Sequence, residues 1–339
     1  MLIKLIILFV CSLAVTYFFM PFSILFAQNK GLVTIPSQEK IDQRKISYLG
    51  GAVICCVFLT FSVLARFFDL FYLGFSSTKF FIFIFCAAII AGFGLYDDLK
   101  ECGPFVKLAQ QIFGALILSL FVLQTEISWL NNSFNVLLSV LCIVILINAF
   151  NLLDIVDGLA GGISLINMIS FFILGILTGN YFVVLLTVIL SAVLLAFLYY
   201  NLPPAKIIMG DTGSQFLGFI QVVIALSLCF SHSARQVSII VPLLVLSLPL
   251  FDLLFVVLMR MQQKKSIFLK SNDHFVLRML KTGICTGDIL KLMFTISICT
   301  NFSALLAYYF SNISGIIIFF VPILAFLLFS VKLSKLEVD

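Results

Sequence analysis

Asp97 and Asp98 stand side by side in Gly94-Leu95-Tyr96-Asp97-Asp98-Leu99-Lys100, at the end of a long apolar run. Adjacent carboxylates beside lipid are costly and repel each other, so they recruit protons or cations. A second stretch, Asn148-Ala149-Phe150-Asn151-Leu152-Leu153-Asp154-Ile155-Val156-Asp157-Gly158, places Asn148, Asn151, Asp154 and Asp157 three residues apart. On a helix, such neighbours share one face. Hydrogen bonding between helices would account for the Asn residues, but not for two carboxylates. A third stretch, Gly210-Asp211-Thr212-Gly213-Ser214, sets one carboxylate between glycines ahead of another apolar run. Alone it reads as an ordinary turn. Its weight comes from falling on the same side of the membrane as the other two.

Basic groups accompany these acids. Lys107 follows Asp97 and Asp98 across a short loop, and Arg44-Lys45 precede the glycine pair Gly50-Gly51. The 260–281 segment carries Arg260, Lys264, Lys265, Lys270, Arg278 and Lys281 together with His274. Carboxylates with water suit Mg²⁺, or Mn²⁺ in its place, and Mg²⁺ is usually held by one or two carboxylates plus substrate phosphates. Basic side chains hold the remaining phosphate oxygens. The chemistry expected is phosphoryl transfer between a nucleotide-type pyrophosphate and an acceptor presented from the bilayer. An acceptor phosphate, with a second pKa near 6, is already largely ionised at neutral pH. Positioning and charge neutralisation would therefore supply most of the catalysis.

The elements that must position these residues are membrane helices. Of the 339 residues, 63% are hydrophobic and 10% charged, and the mean hydropathy is +1.24. Soluble domains are about 25% charged. This composition excludes a soluble globule, a nucleic-acid binder, a disordered chain and a disulfide scaffold. The nine Cys contain no CxxC and mostly lie inside apolar runs as small hydrophobes. A span needs about 20 apolar residues. Eleven are expected: 2–27, 48–66, 79–96, 106–124, 134–152, 159–177, 181–200, 214–230, 236–259, 285–309 and 313–331. The first is too long for the apolar core of a cleaved signal and is read as retained. The fold class is all-α, a single polytopic membrane domain over 1–339.

With eleven spans, only Lys4, Arg66, Lys79 and Arg235 of the 20 Lys and Arg fall on the side opposite the C-terminus. Positive charge stays inside, so the odd-numbered loops are expected in the cytoplasm and the N-terminus outside. Of 15 acids, only Asp69 and Glu126 lie on the outer side. Orientation does not require that acidic bias, so it marks a cytoplasmic-face site. Secondary transporters place their binding groups near the bilayer midplane, which disfavours that alternative.

The three acidic motifs, in this order and with His274 after them, resemble those of the polyprenyl-phosphate N-acetylhexosamine-1-phosphate transferases, glycosyltransferase family 4. The short loops look like the branch typified by undecaprenyl-phosphate N-acetylglucosamine-1-phosphate transferase. The resemblance implies transfer of a sugar 1-phosphate, N-acetylglucosamine 1-phosphate by that branch, from a UDP-sugar to a polyprenyl phosphate. UMP would be released with help from Mg²⁺, as a first membrane step of cell-envelope glycan synthesis. It implies Asp97, with Asp98 beside it, at the lipid phosphate as catalytic residues, and Asp211 on the metal. Asn148, Asn151, Asp154 and Asp157 would hold the nucleotide-sugar; Lys107, His274, Arg278, Arg44 and Lys45 would line the phosphate region. Three departures stand out. Asp154 is followed by Ile155 rather than Gly, the His-x-His-His-Arg stretch is reduced to His274-Phe275-Val276-Leu277-Arg278, and Arg44-Lys45 lack their following His. Phospho-N-acetylmuramoyl-pentapeptide transferase, the alternative within the class, usually carries a longer motif before its glycine pair, absent here. Either a monomer or a homodimer suits the Phe-rich lipid surface.

Overall fold

The computed structural model describes residues 1–34, 46–70, 74, 76–230, 237–264, 274–310, 324 and 326. They form helices α1 (Leu2–Lys30), α2 (Gly50–Phe67), α3 (Ser77–Lys100), α4 (Pro104–Phe121), α5 (Asn132–Leu153), α6 (Leu159–Thr178), α7 (Tyr181–Asn201), α8 (Gly210–Phe230), α9 (Ile240–Val245), α10 (Ser247–Gln262), α11 (Phe275–Lys281) and α12 (Thr286–Tyr309). Among the described residues nine of these, α1 to α8 and α12, are long and apolar enough to cross a membrane. They match the first eight expected spans and the tenth, and make this an all-α polytopic membrane protein. The expected span 313–331, Arg44 and Lys45 lie outside the described residues.

The chain divides into two compact units, 1–236 and 237–339. In the first, α8 is the central pillar: 94% of its apolar window is buried, against 22% for α1 at the periphery. Helices α2, α3, α5, α6 and α7 all pack on α8. Lipid is as apolar as Leu, so membrane helices associate through close approach and internal polar contacts. Both devices are present. A Cβ on Gly218 of α8 would lie 2.6 Å from Cα of Ile147 in α5, and one on Gly94 of α3 would lie 2.6 Å from Cα of Thr212. Deep in the bundle, Asn167 of α6 donates to Gln221 of α8 at 2.9 Å, and Gln221 donates to Ser164 at 3.0 Å.

The expected ninth span is not one helix. It breaks at Leu246, which joins α9 to α10 with φ −92° and ψ 11°. The cause is Pro249 in the first turn of α10. Proline has no N–H to donate to the carbonyl four residues earlier. That carbonyl is Val245 O, and the Asn301 amide of α12 reaches it at 3.4 Å. A freed backbone carbonyl at membrane depth needs such a substitute donor.

Candidate functional site

The site of the first unit forms where α3, α4 and α5 meet the N-terminus of α8. Helix α8 begins at Gly210, whose φ of +69° suits glycine. A Cβ there would also lie 2.7 Å from the Asp98 carboxylate. Asp98 accepts from the backbone N–H groups of Asp211 (2.8 Å) and Thr212 (3.0 Å), and from the Thr212 hydroxyl (2.5 Å). These are orphan donors of a helix start, where a carboxylate also meets the positive end of the helix dipole. Asp98 thereby locks the end of α3 onto the start of α8.

Asp97, one residue earlier and about 100° around the helix, faces a different neighbour. It is 4% exposed. One oxygen accepts from the Cys102 N–H at 2.7 Å, which holds the α3–α4 loop. The other pairs with the Lys107 ammonium. Lys107 also donates to Asp211 Oδ2 at 2.7 Å. The second Asp211 oxygen accepts from the Asn151 amide at 3.0 Å, and that amide also reaches Ser214 Oγ at 3.0 Å. One cation thus bridges two acids brought together from positions 97 and 211. Beneath them, Asn148 donates to Gln111 at 2.6 Å, and Gln111 to Gln215 at 3.3 Å. Asn148 is thereby held in the bundle.

The four-residue polar ladder holds only in part. Asn148 and Asn151 lie on α5, but the helix ends at Leu153 and Asp154 is its C-terminal cap, with φ −80° and ψ 54°. Asp157 follows in the turn before α6. Burial, then the Asp211, Asp157 and Asp98 carboxylates, push the pKa of Asp154 up to about 8. Asn201, which sequence reasoning passed over, fastens this turn. Its Oδ1 accepts from Gly158 N–H at 2.8 Å and its Nδ2 donates to Ile207 O at 2.8 Å. A lone Asn before Leu202-Pro203-Pro204 gave no signal of that double bond. The glycine pair Gly50-Gly51 commits its N–H groups to Ile208 O (3.1 Å) and Met209 O (2.9 Å), so it pins α2 to the strand-like lead into α8.

His274 and Arg278 belong to the second unit. His274 Nδ1 lies 3.3 Å from Asp252 Oδ2, and Phe275 N–H donates to Asp252 Oδ1 at 3.2 Å. Both acid and ring are buried, at 1% and 7% side-chain exposure. The Arg278 guanidinium lies over the Phe255 ring, 5.5 Å from its centre. Asp252 stands in an apolar helix, and an acid inside a span was the one sign of its importance.

Among the described residues no three His, Cys, Asp or Glu side chains enclose a metal by themselves. The donor set nevertheless fits Mg²⁺. Asp97 and Asp211 offer hard oxygens that converge on one cation position, filled by Lys107, and Mg²⁺ takes few carboxylates and completes its shell with phosphate and water. Asp98 is spent on the helix start.

Residues 80–229, from α3 through α8, match the family model for glycosyl transferase family 4. Over this segment the chain is similar to that family. That segment carries all three acidic motifs. A Bacillus subtilis relative named "Probable undecaprenyl-phosphate N-acetylglucosaminyl 1-phosphate transferase" is 29% identical over 89% of this chain and 85% of its own. An Escherichia coli undecaprenyl-phosphate alpha-N-acetylglucosaminyl 1-phosphate transferase is 24% identical over 94% of this chain and 88% of its own. A Clostridium botulinum phospho-N-acetylmuramoyl-pentapeptide-transferase is 49% identical, but over only 24% of this chain and 25% of its own.

Proposed function

We propose that the protein transfers a sugar 1-phosphate, N-acetylglucosamine 1-phosphate by its relatives, from a UDP-sugar to a polyprenyl phosphate at the cytoplasmic membrane face. The observation that carries this reading is the shared cation: Lys107 between Asp97 and Asp211, at the end of a bundle whose relatives act on lipid phosphates. An oxygen of the acceptor phosphate attacks the phosphorus bonded to the sugar. The bond from that phosphorus to the bridging oxygen breaks, and UMP leaves with the oxygen. Lys107 draws the acceptor phosphate in, and Asp97 takes any proton the phosphate still carries. Asp211 with Asp97 would hold Mg²⁺, which when bound neutralises the pyrophosphate. Asp154, Asp157 and Asn151 receive the nucleotide-sugar. The full-length relatives, rather than the short pentapeptide-transferase match, favour this donor class. Cytoplasmic placement rests on the distribution of Lys and Arg.

The test is UMP release by purified protein, supplied with polyprenyl phosphate, Mg²⁺ and a panel of UDP-sugars. UMP formed only when lipid phosphate, Mg²⁺ and UDP-N-acetylglucosamine are all present is expected. UMP formed only from a muramoyl-pentapeptide donor would replace the substrate. No UMP from any donor would contradict the reaction.

A further inference from the structure

We infer that Gln111, with Gln215 and Asn148 as its partners, is a positioning residue: this layer of three amides sets the register of α4 so that the Lys107 ammonium falls between Asp97 and Asp211. The inference rests on the transfer reaction proposed above, in which that ammonium draws in the acceptor phosphate.

The layer repeats the reaction centre one helical turn deeper. In the upper tier, Lys107 of α4 and Asn151 of α5 both donate to Asp211 of α8. Gln111 lies four residues after Lys107, Gln215 four after Asp211, and Asn148 three before Asn151. Such intervals keep each amide on the same helix face as the group above it. Helices α4 and α8 begin at the site and α5 ends there, so all three steps lead inward. The three helices thus meet twice, once through charges and once through amides.

In the lower tier, Asn148 Nδ2 donates to Gln111 Oε1 at 2.6 Å, and Gln111 Nε2 donates to Gln215 Oε1 at 3.3 Å. One end fixes the direction of this chain of bonds. Asn148 Nδ2 also donates to the Val144 carbonyl at 2.8 Å, and a carbonyl only accepts. Gln111 must then turn its oxygen to Asn148, which leaves its nitrogen for Gln215. Gln111 and Gln215 are 2% and 3% exposed.

Helix α4 needs such a device. Its apolar window is 28% buried, against 94% for α8, and it packs mainly on α3 and α5. Lipid gives no hydrophobic preference for one rotation of such a helix over another. Lys carries its charge on a flexible four-carbon stem, so the ammonium goes where α4 holds the Cα. A slide of α4 that parted Lys107 from Asp211 would also strip the Gln111 and Gln215 amides of each other. Apolar surroundings offer them no substitute, which penalises the slide.

The experiment reads full-length protein in bilayers in two ways: the ¹⁵Nζ resonance of Lys107, assigned by its loss in Lys107→Met, and steady-state transfer. Gln111→Met keeps an unbranched side chain of similar length and removes both bonds. Gln215→Met breaks the α4–α8 bond alone. Gln221→Met is the comparison, since it removes buried amide bonds between α6 and α8, away from α4. The native Lys107 resonance is expected to stand apart from those of exposed lysines. Gln111→Met should move it toward them and lower kcat on the order of 10²-fold, the scale of a misplaced catalytic group. KM for the UDP-sugar should not change. Gln215→Met should reproduce both changes. Gln221→Met should lower the thermal midpoint at least as much as Gln111→Met, yet leave the resonance and kcat native. On a Lys107→Met background, Gln111→Met should cost no further kcat. A Lys107 resonance that stays native in Gln111→Met and Gln215→Met would overturn the inference. So would a kcat loss in Gln221→Met as large as in Gln111→Met, or a full further loss on the Lys107→Met background. A native protein with no transfer contradicts the transfer reading instead, and the Lys107 resonance still decides the positioning.

Discussion

The α3–α8 junction and the turn between α5 and α6 both bring two acids to one end of the first unit, with opposite consequences. At the junction the acids have partners of opposite or donating character: Asp98 holds the start of α8, and Asp97 shares Lys107 with Asp211. In the turn, Asp154 is surrounded by other carboxylates, and its pKa rises to about 8. The first region is a framework whose acids are held by helix-start donors and one shared ammonium. In the second, burial and the Asp211, Asp157 and Asp98 carboxylates favour the protonated form of Asp154. Adjacent acids in a sequence therefore differ in what they do according to which helix end or lysine the fold puts beside them.

The largest effect expected follows from the shared cation. Lys107→Met leaves Asp97 and Asp211 facing each other without their shared cation, and kcat for transfer should fall on the order of 10³-fold. A steady-state assay with the variant at native expression level checks this. Retained transfer would move the reaction away from the junction.

Asp98→Ala should act on the fold more than on the chemistry. It strips two backbone donors and one hydroxyl of their acceptor at a largely buried helix start. That costs about 1–3 kcal/mol, read as a lower thermal midpoint in detergent. A loss of transfer without any loss of stability would give Asp98 a direct chemical role instead.

Asn201→Ala removes both bonds that tie the Asp154–Gly158 turn to the lead into α8. About 1 kcal/mol of stability should go with it, and KM for the UDP-sugar should rise more than kcat falls. An unchanged KM would separate the turn from donor binding.

The smallest effect is a slope. Asp154 binds its proton more tightly folded, up to about pH 8, than unfolded near pH 3.9. Between those values the folded state holds the extra proton, so stability is full at low pH and declines as pH rises toward 8. Chelator-treated native protein should show that decline in its melting midpoint, and Asp154→Asn should flatten it. A native midpoint that rises through the same range would contradict the raised pKa of Asp154.

Much of the fold could be read from hydropathy, because lipid demands long apolar helices and the bounds of α1 to α8 and α12 follow the apolar runs within a few residues. The break at Leu246 could not. Residues on both sides of it are equally apolar, and only Pro249 hinted at it, while its resolution depends on Asn301 more than fifty residues away. The site was legible as a set of acids and Lys107, since charge in an apolar chain is conspicuous. Their division of labour was not. Asp97 and Asp98 are the same residue type in adjacent places, and what separates them is a turn of about 100° on α3 and the position of Gly210. Asn201 and Asp252 act through bonds to distant or backbone groups, for which spacing carries no mark.

The most direct test of the reaction centre is a single-turnover assay with UDP-N-acetylglucosamine labelled in the phosphate next to the sugar, polyprenyl phosphate and Mg²⁺. Native protein and Asp211→Asn are compared at equal thermal stability. Label should pass into the lipid with the native protein and fall on the order of 10³-fold with the variant. Equal transfer by both would contradict the placement of the reaction between Asp97, Lys107 and Asp211.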